Sequence, residues 1–268
     1  MQILKNRNTV VTGGAGILGR GFCKILAENG ANVAVLDIDI ENAKNIASEI
    51  KNRNPTSNIV AMYCDVTSLD SVNEAVGAIK KVFGGIDFLS NNAATNTKDL
   101  KNFLAPFEDY DIETWREVMA VNIDGMFLMA QTVGKIMLKQ EKGGSIVQTS
   151  SIYGLLAPDQ RIYQGSEYNN QQMNSPAVYA ASKAAVIGLS KYLASYWGEE
   201  NIRVNSISPG GVESGQNDQF IKNYSSRVPM RRMAKASEIE AALLFLASDA
   251  SSYITGQNLV IDGGLSAW

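Results

Sequence analysis

The sequence predicts an α/β fold: a doubly wound parallel sheet of seven strands with helices on both faces. Two observations carry that expectation. Short β-branched apolar runs alternate with longer segments of helical periodicity, the form taken by repeated βα units. A glycine-rich stretch, TGGAGILGRG, joins the first apolar run directly to the first helical one, as a ligand-binding turn at the carboxyl edge of such a sheet does.

Strands are expected at Asn8 to Thr12 (NTVVT), Asn32 to Asp37 (NVAVLD), Asn58 to Cys64 (NIVAMYC), Asp87 to Ser90 (DFLS), Ser145 to Ser150 (SIVQTS), Arg203 to Ser208 (RVNSIS) and Asn258 to Ile261 (NLVI). Helical patterns run over Glu41 to Lys51, Leu69 to Phe83, Thr114 to Lys139 and Ser237 to Ala247. The last opens on a Ser-x-x-Glu capping box at Ser237 and Glu240. Ser175 and Pro176 read as the cap and first-turn residue of a further helix that contains Val178 onward. No linker and no repeat beyond the βα rhythm interrupts the chain, so one domain over residues 1–268 is expected.

Composition narrows the chemistry. The chain contains no histidine, which excludes Ser-His-Asp hydrolases, papain-like proteases and histidine-based zinc enzymes. No metal site is expected. A net charge of −3 offers no electrostatic reason for a nucleic-acid or anionic-membrane partner. The opening MQILKNRNTVVTGG runs straight into a strand with no apolar leader, and no run of eighteen apolar residues follows, so a cytoplasmic location is expected. Cys23 and Cys64 fall inside a helix and a strand and read as buried free thiols.

Glycines between a strand and a helix let the backbone turn tightly and approach a pyrophosphate, whose charge meets the amides and positive dipole end of the helix. Such glycines also serve plain packing, so the turn alone is a weak signal. Asp37 strengthens it. It ends the second strand 18 residues after Gly19, where a carboxylate accepts hydrogen bonds from an adenosine ribose and repels a 2′-phosphate. A Rossmann-type site for NAD, in preference to NADP, is the expectation.

Tyr179 and Lys183 lie four residues apart in VYAASKAAVIGLS, so on a helix they share one face. A phenol titrates near 10 and is a poor proton shuttle at neutral pH; a nearby ammonium and a cationic nicotinamide both favour the phenolate. A bare Tyr-x-x-x-Lys is more often an exposed pair on a solvated helix. Three segments at strand ends argue against that here: TSSIYG (Thr149 to Gly154), SNNAA (Ser90 to Ala94) and SISPGGVES (Ser206 to Ser214). Each stands at the edge where open α/β sheets bind ligands.

Taken in order, TGGAGILG, Asp37, CDVT, NNAA, VNIDG, TSSIYG, YAASK, RVNSISPGGV and YITGQNLVIDGG resemble the short-chain dehydrogenase/reductase family over essentially the whole chain. The resemblance implies four catalytic residues. Tyr179 corresponds to the general acid/base and Ser151 to the substrate-polarising hydroxyl. Lys183 would lower the tyrosine pKa and hold the nicotinamide ribose, and Asn122 would hold a water of the proton relay. For the cofactor it implies Gly13, Gly16, Ile17, Leu18 and Gly19 in the turn and Asp37 and Ile38 after the second strand. Asp65 and Val66 would meet the adenine, Asn92 and Ala93 the ribose, and Pro209, Gly210, Val212 and Ser214 the nicotinamide end. A homotetramer or homodimer is implied as well.

Two departures from the family pattern stand out. Ile17 occupies a position where the family has glycine, which puts bulk near the pyrophosphate. The gap from Ser151 to Tyr179 is 28 residues, against about half that in the family. The extra segment, at about 155–177, is expected to form a substrate wall or lid rich in polar and aromatic groups: Gln160, Arg161, Tyr163, Glu167 and Tyr168. Arg161 and Tyr163 are the substrate-binding candidates, with Arg161 suited to a phosphate or carboxylate. The segment and TGGAGILGR are also similar to a flagellin-modification oxidoreductase subgroup linked to nonulosonate-type sugar precursors. The C-terminal LSAW is expected to dock on a neighbour or close the pocket.

The expected activity is hydride transfer between NAD(H) and a secondary alcohol or ketone of a polar, sugar-derived small molecule. One alternative, a 3-oxoacyl-carrier-protein or general carbonyl reductase, uses the same fold and residues; a second, a non-catalytic dinucleotide-binding protein, has no need of the complete Asn-Ser-Tyr-Lys set.

Overall fold

The computed structural model describes residues 2–97, 99–140, 142–168 and 171–268. Seven strands form one parallel sheet: β1 (Asn8–Thr12), β2 (Asn32–Asp37), β3 (Ile59–Tyr63), β4 (Phe88–Asn91), β5 (Gly144–Thr149), β8 (Ile202–Pro209) and β9 (Asn258–Ile261), in the order β3-β2-β1-β4-β5-β8-β9. The chain winds outward from β1 to β3, then returns to pair β4 against β1 and winds the other way. That reversal opens a crevice at the carboxyl ends of β1 and β4. Every expected strand is present within about a residue of its bounds.

Alternation along the strands feeds two cores. Val10, Ala34, Leu36 and Ile146 face one side, and pack with Ile79 of α3 (Leu69–Phe83), Met129 and Val133 of α6 (Gly125–Leu138), and Leu193 of α7 (Ala177–Tyr196). Val11, Val33, Val35 and Val147 face the other, against Phe22 and Leu26 of α1 (Ile17–Glu28), Ile46 of α2 (Ile40–Arg53), and Ile239 and Leu243 of α9 (Ala236–Ala247). A strand covered on both faces has no polar positions to show. This is why the strands read as continuous apolar runs.

The helices depart from expectation in three places. The segment expected as one helix from Thr114 to Lys139 is α5 (Ile112–Met119), a π-turn at Ala120–Asp124, and then α6. The wide turn carries Asn122, whose amide oxygen accepts the Thr95 N–H (2.9 Å) and whose amide nitrogen donates to Ser182 Oγ (3.3 Å); apolar periodicity carries no sign of one extra residue in a turn. At α9 the capping box is not formed by Ser237 and Glu240. The Glu238 carboxylate accepts the Lys235 N–H (2.8 Å), and Arg232 holds it there with two bonds of 2.6 Å. At α7 the cap is Pro176 in extended backbone, and Ser175 instead donates its N–H to Gln160 Oε1 (3.1 Å).

The extra segment between Ser151 and Tyr179 is folded. Gln160–Tyr163 form a 3-10 turn, and β6 (Glu167–Tyr168) pairs antiparallel with β7 (Gln171–Gln172); Asn169, Asn170 and the Tyr168 side chain lie outside the described residues. Tyr163 packs against Phe220 of α8 (Asp218–Arg227), with ring centroids 5.5 Å apart, in a small cluster with Tyr224, Val228 and Met233. Trp268 docks on its own chain, where Nε1 donates to the Arg227 carbonyl at the end of α8 (3.2 Å). Among the described residues no helix is long and apolar enough to cross a membrane.

Ile79 is fully buried between α3 and the sheet. Ile79→Ala should lower the unfolding free energy by about 2–5 kcal/mol, read from urea denaturation; a loss well below 1 kcal/mol would show that this face of the core collapses around the cavity.

Candidate active site

At the end of β1, the buried Thr12 hydroxyl accepts the N–H groups of Asn92 (2.8 Å) and Ala93 (3.0 Å), tying β4 to the glycine turn. The turn itself is closed by contact between glycines. A Cβ on Gly19 would stand 2.0 Å from the Gly13 carbonyl oxygen, and Gly13 has φ +61°. Helix α1 starts at Ile17 with no side-chain cap and no acidic residue in its first turn, so its leading amides are available to an anion. Asp37 braces the same turn from β2: one carboxylate oxygen accepts the Ala15 N–H (2.9 Å) and the other the Asp39 N–H (3.0 Å).

These elements enclose a cavity of about 780 Å³. Its walls include Gly13, Gly16, Ile17, Leu18, Asp37, Ile38, Asp65, Val66, Asn92, Ala93, Tyr179, Lys183, Pro209, Gly210 and Val212. The volume, the uncapped helix start and the carboxylate at the end of β2 together fit a dinucleotide. Lys183 is the sole basic side chain among the described walls.

A second cavity, of about 690 Å³, shares Ile17, Ala94, Thr95, Ser151, Tyr179 and Gly210 with the first. Ser151 and Tyr179 therefore stand at the junction. They are held there by a reciprocal clasp between the turn after β5 and α7. Ser150 Oγ donates to the Lys183 carbonyl (2.7 Å), and Lys183 Nζ donates back to the Thr149 carbonyl (2.9 Å). Gly154 permits the approach, since a Cβ on it would lie 2.6 Å from the Lys183 carbonyl oxygen.

Several expected site residues sit elsewhere. Gly19 is a packing contact beneath the turn and does not line the first cavity. Asn122 is fully buried with both side-chain ends committed, to Thr95 N–H and Ser182 Oγ, so its amide holds the local structure and faces neither cavity. Ser214 lines the second cavity, not the first. Arg161 lies outside both; its side chain is 74% exposed and forks onto Asp159 (2.8 and 2.9 Å). Tyr163 and Glu167 do line the second cavity. Ile17 points its side chain, 61% exposed, into the mouth common to both, which leaves the glycine contacts of the turn intact.

The sequence reading did not single out the Thr12 clamp, the Ser182 link or the α8 wall formed by Phe220 and Tyr224. Ser182 accepts from Asn122 and donates to the Tyr179 carbonyl (2.9 Å). The serine before Lys183 was visible in YAASK, whereas α8 reaches the site only through tertiary packing.

Burial dominates the electrostatics. It raises the Tyr179 phenol above its ordinary value, and hydrogen bonding with Ser151 pulls it partly back. Lys183, also buried, is lowered to about 8. The expected depression of Tyr179 by a close ammonium is thus absent in the protein alone: Nζ is spent on the Thr149 carbonyl and lies 5.9 Å from the phenol ring centroid. Cys64, on the first cavity's wall, is pushed up to about 12 by burial and is an inert thiol.

Residues 13–266 match a family model described as Enoyl-(Acyl carrier protein) reductase. The NAD-dependent glycerol dehydrogenase of Listeria innocua is 35% identical over 266 residues, covering 97% of this chain and 94% of its own. A 3-oxoacyl-acyl-carrier-protein reductase of Chlamydia muridarum is 35% identical over 269 residues, with 99% of both chains covered. Among solved structures, NAD+-bound xylitol dehydrogenase superposes with a TM-score of 0.85 at 31% identity, covering 97% of this chain and 99% of that one.

The lowered Lys183 has a measurable consequence. Its folded-state pKa of about 8 lies below the ordinary 10.5, so between these values the unfolded chain binds more protons and stability from this group rises with pH. Wild type should gain on Lys183→Met by up to about 2 kcal/mol between roughly pH 8 and 10 in urea titrations. A flat difference would show that Lys183 titrates normally.

Proposed function

Because the chain belongs to the short-chain dehydrogenase/reductase family, we propose that it transfers a hydride between NAD(H) and a secondary alcohol or ketone of a polar, sugar-derived small molecule. One observation carries the reading: Ser151 and Tyr179 stand where the dinucleotide-sized cavity opens into a second one. An alcohol in the second cavity can present its hydroxyl to that pair while its carbon faces the first. NAD is favoured over NADP because Asp37 occupies the ribose end and no basic side chain other than Lys183 lines the described groove. The glycerol and xylitol dehydrogenases among the relatives support a polyol-like substrate.

When bound in its oxidised form, NAD would supply a hydride acceptor for alcohol oxidation and a positive charge beside the phenol. In that direction Tyr179 accepts the hydroxyl proton, and Ser151 donates to the oxygen as it becomes a carbonyl. Lys183 would hold the nicotinamide ribose with the donors left over from its bond to the Thr149 carbonyl, which keeps the buried side chain in place. Asn122 acts through Ser182, which grips the backbone of Tyr179.

The second cavity has no lysine or arginine among its described walls, which favours an uncharged substrate over the phosphate or carboxylate that Arg161 suggested. The 3-oxoacyl reductase relative keeps thioester reduction as the competing activity, marked by NADPH dependence. The protein works as a homotetramer or homodimer, supported by Tyr192 and Tyr196, stacked at 5.8 Å and mostly exposed on α7. Its two buried free thiols fit a reducing cytoplasm.

Tyr179→Phe should bind NADH as wild type does and lose roughly 100- to 10,000-fold in turnover; retention of a tenth of the activity or more would remove Tyr179 from its role. Asp37→Ala should weaken NADH binding, read by tryptophan fluorescence, by roughly 10-fold and narrow the preference over NADPH. An unchanged NADH/NADPH ratio would contradict the ribose assignment.

A further inference from the structure

The insertion and the turn after β5 bring two phenols to one wall of the second cavity, beside Ser151 and Tyr179. Tyr153 follows Ser151 by two residues, and its N–H donates to Ser151 Oγ (3.2 Å), so its position is fixed relative to the reacting hydroxyl. Tyr163 comes from the extra segment and is held by a tilted ring contact with Phe220, centroids 5.5 Å apart. Their hydroxyls are 3.5 Å apart, longer than a formed O–H···O bond. Neither is used up by the other.

Burial raises both phenols, and each also feels Tyr179. They are therefore neutral at any working pH, and each can donate as well as accept. Packing alone would be served by phenylalanine, as it is at Phe220 in the same cluster. Tyr163 also hydrogen-bonds with Ser175, which leaves the Tyr153 hydroxyl the more weakly partnered of the two, a cost that a ligand hydroxyl would relieve. A ligand hydroxyl in front of the pair, on the cavity side, can meet both at hydrogen-bond distance.

We propose that Tyr153 and Tyr163 form a subsite for a second hydroxyl on the carbon next to the reacting one, making vicinal diols and α-hydroxyketones the substrates. This rests on the hydride-transfer reading of the same site. The vicinal diol loses a hydride from one carbon to NAD+ and the proton of that carbon's hydroxyl to Tyr179. An α-hydroxyketone and NADH result, with the neighbouring hydroxyl unchanged. No further oxidant enters.

The test compares kcat/KM with NAD+ for butane-2,3-diol isomers, glycerol and alditols against both enantiomers of butan-2-ol, using wild type, Tyr153→Phe and Tyr163→Phe. The expected wild-type preference for the best diol is roughly 100-fold, and each variant should cut that ratio by roughly 10-fold or more, with thermal unfolding and NADH binding reported alongside. A ratio that both variants leave unchanged would overturn the subsite. So would a wild type that oxidises butan-2-ol as well as any diol, although hydride transfer itself would then stand. A wild type that oxidises no alcohol with NAD+ would overturn the hydride-transfer reading and the subsite together.

Discussion

The site depends on the contact between the turn after β5 and the first half of α7. Lys183 is bound at both ends, its ammonium to the Thr149 carbonyl and its own carbonyl to Ser150 Oγ. A missing side chain at Gly154 lets the two backbones meet. A strand end and a helix, each rigid, are thereby fixed so that Ser151 and Tyr179 share a junction. The clasp preorganises the hydroxyl pair proposed to react, so that no rearrangement is needed to align it. If the contact loosened, the two cavities would still exist, but nothing would align them.

The same clasp sets the charges. Enclosing a lysine and a tyrosine together raises one pKa and lowers the other, because both charged forms lose hydration. In the protein alone the phenol is protonated, a form suited to donating a proton to a ketone. Accepting a proton requires added positive charge nearby, which a short-chain dehydrogenase/reductase receives with the oxidised cofactor. The fold thus provides a neutral phenol and leaves the second half of its tuning to binding. Asp37 divides its work in a similar way: it braces Ala15 in the glycine turn while lining the first cavity.

Around this centre, the extra segment from about 155 to 177 replaces a short connection with a folded wall. It packs on α8 through Tyr163, Phe220 and Tyr224, and α8 in turn holds the C-terminus through the Arg227 carbonyl and Trp268. Asn174 Nδ2 donates to the Leu104 carbonyl (2.6 Å), joining the wall to the loop across the cavity. The second cavity is therefore walled by stretches of chain far apart in sequence. The cofactor side is built mainly from successive strand ends.

That difference explains what was legible. The strands, the glycine turn, Asp37, and the Ser151, Tyr179 and Lys183 set could be read because each follows from a local pattern: periodicity, a turn that only glycine can make, or a fixed helical spacing. The bounds of α3 match the expected Leu69 to Phe83, and the structure caps it with Ser68 and ends it at Gly84. The π-turn at Asn122, the cap at Glu238 and the outward placement of Arg161 could not: Asn122 is set by partners distant in sequence, Thr95 and Ser182, whereas Glu238 and Arg161 are settled by competition among near neighbours, Lys235 and Arg232 for the one and Asp159 for the other. The sequence by itself determined the sheet, its order of elements and the chemistry it could carry. Only the tertiary structure decided which side chains face the cavities, because burial and hydrogen-bond partners are properties of the packed chain.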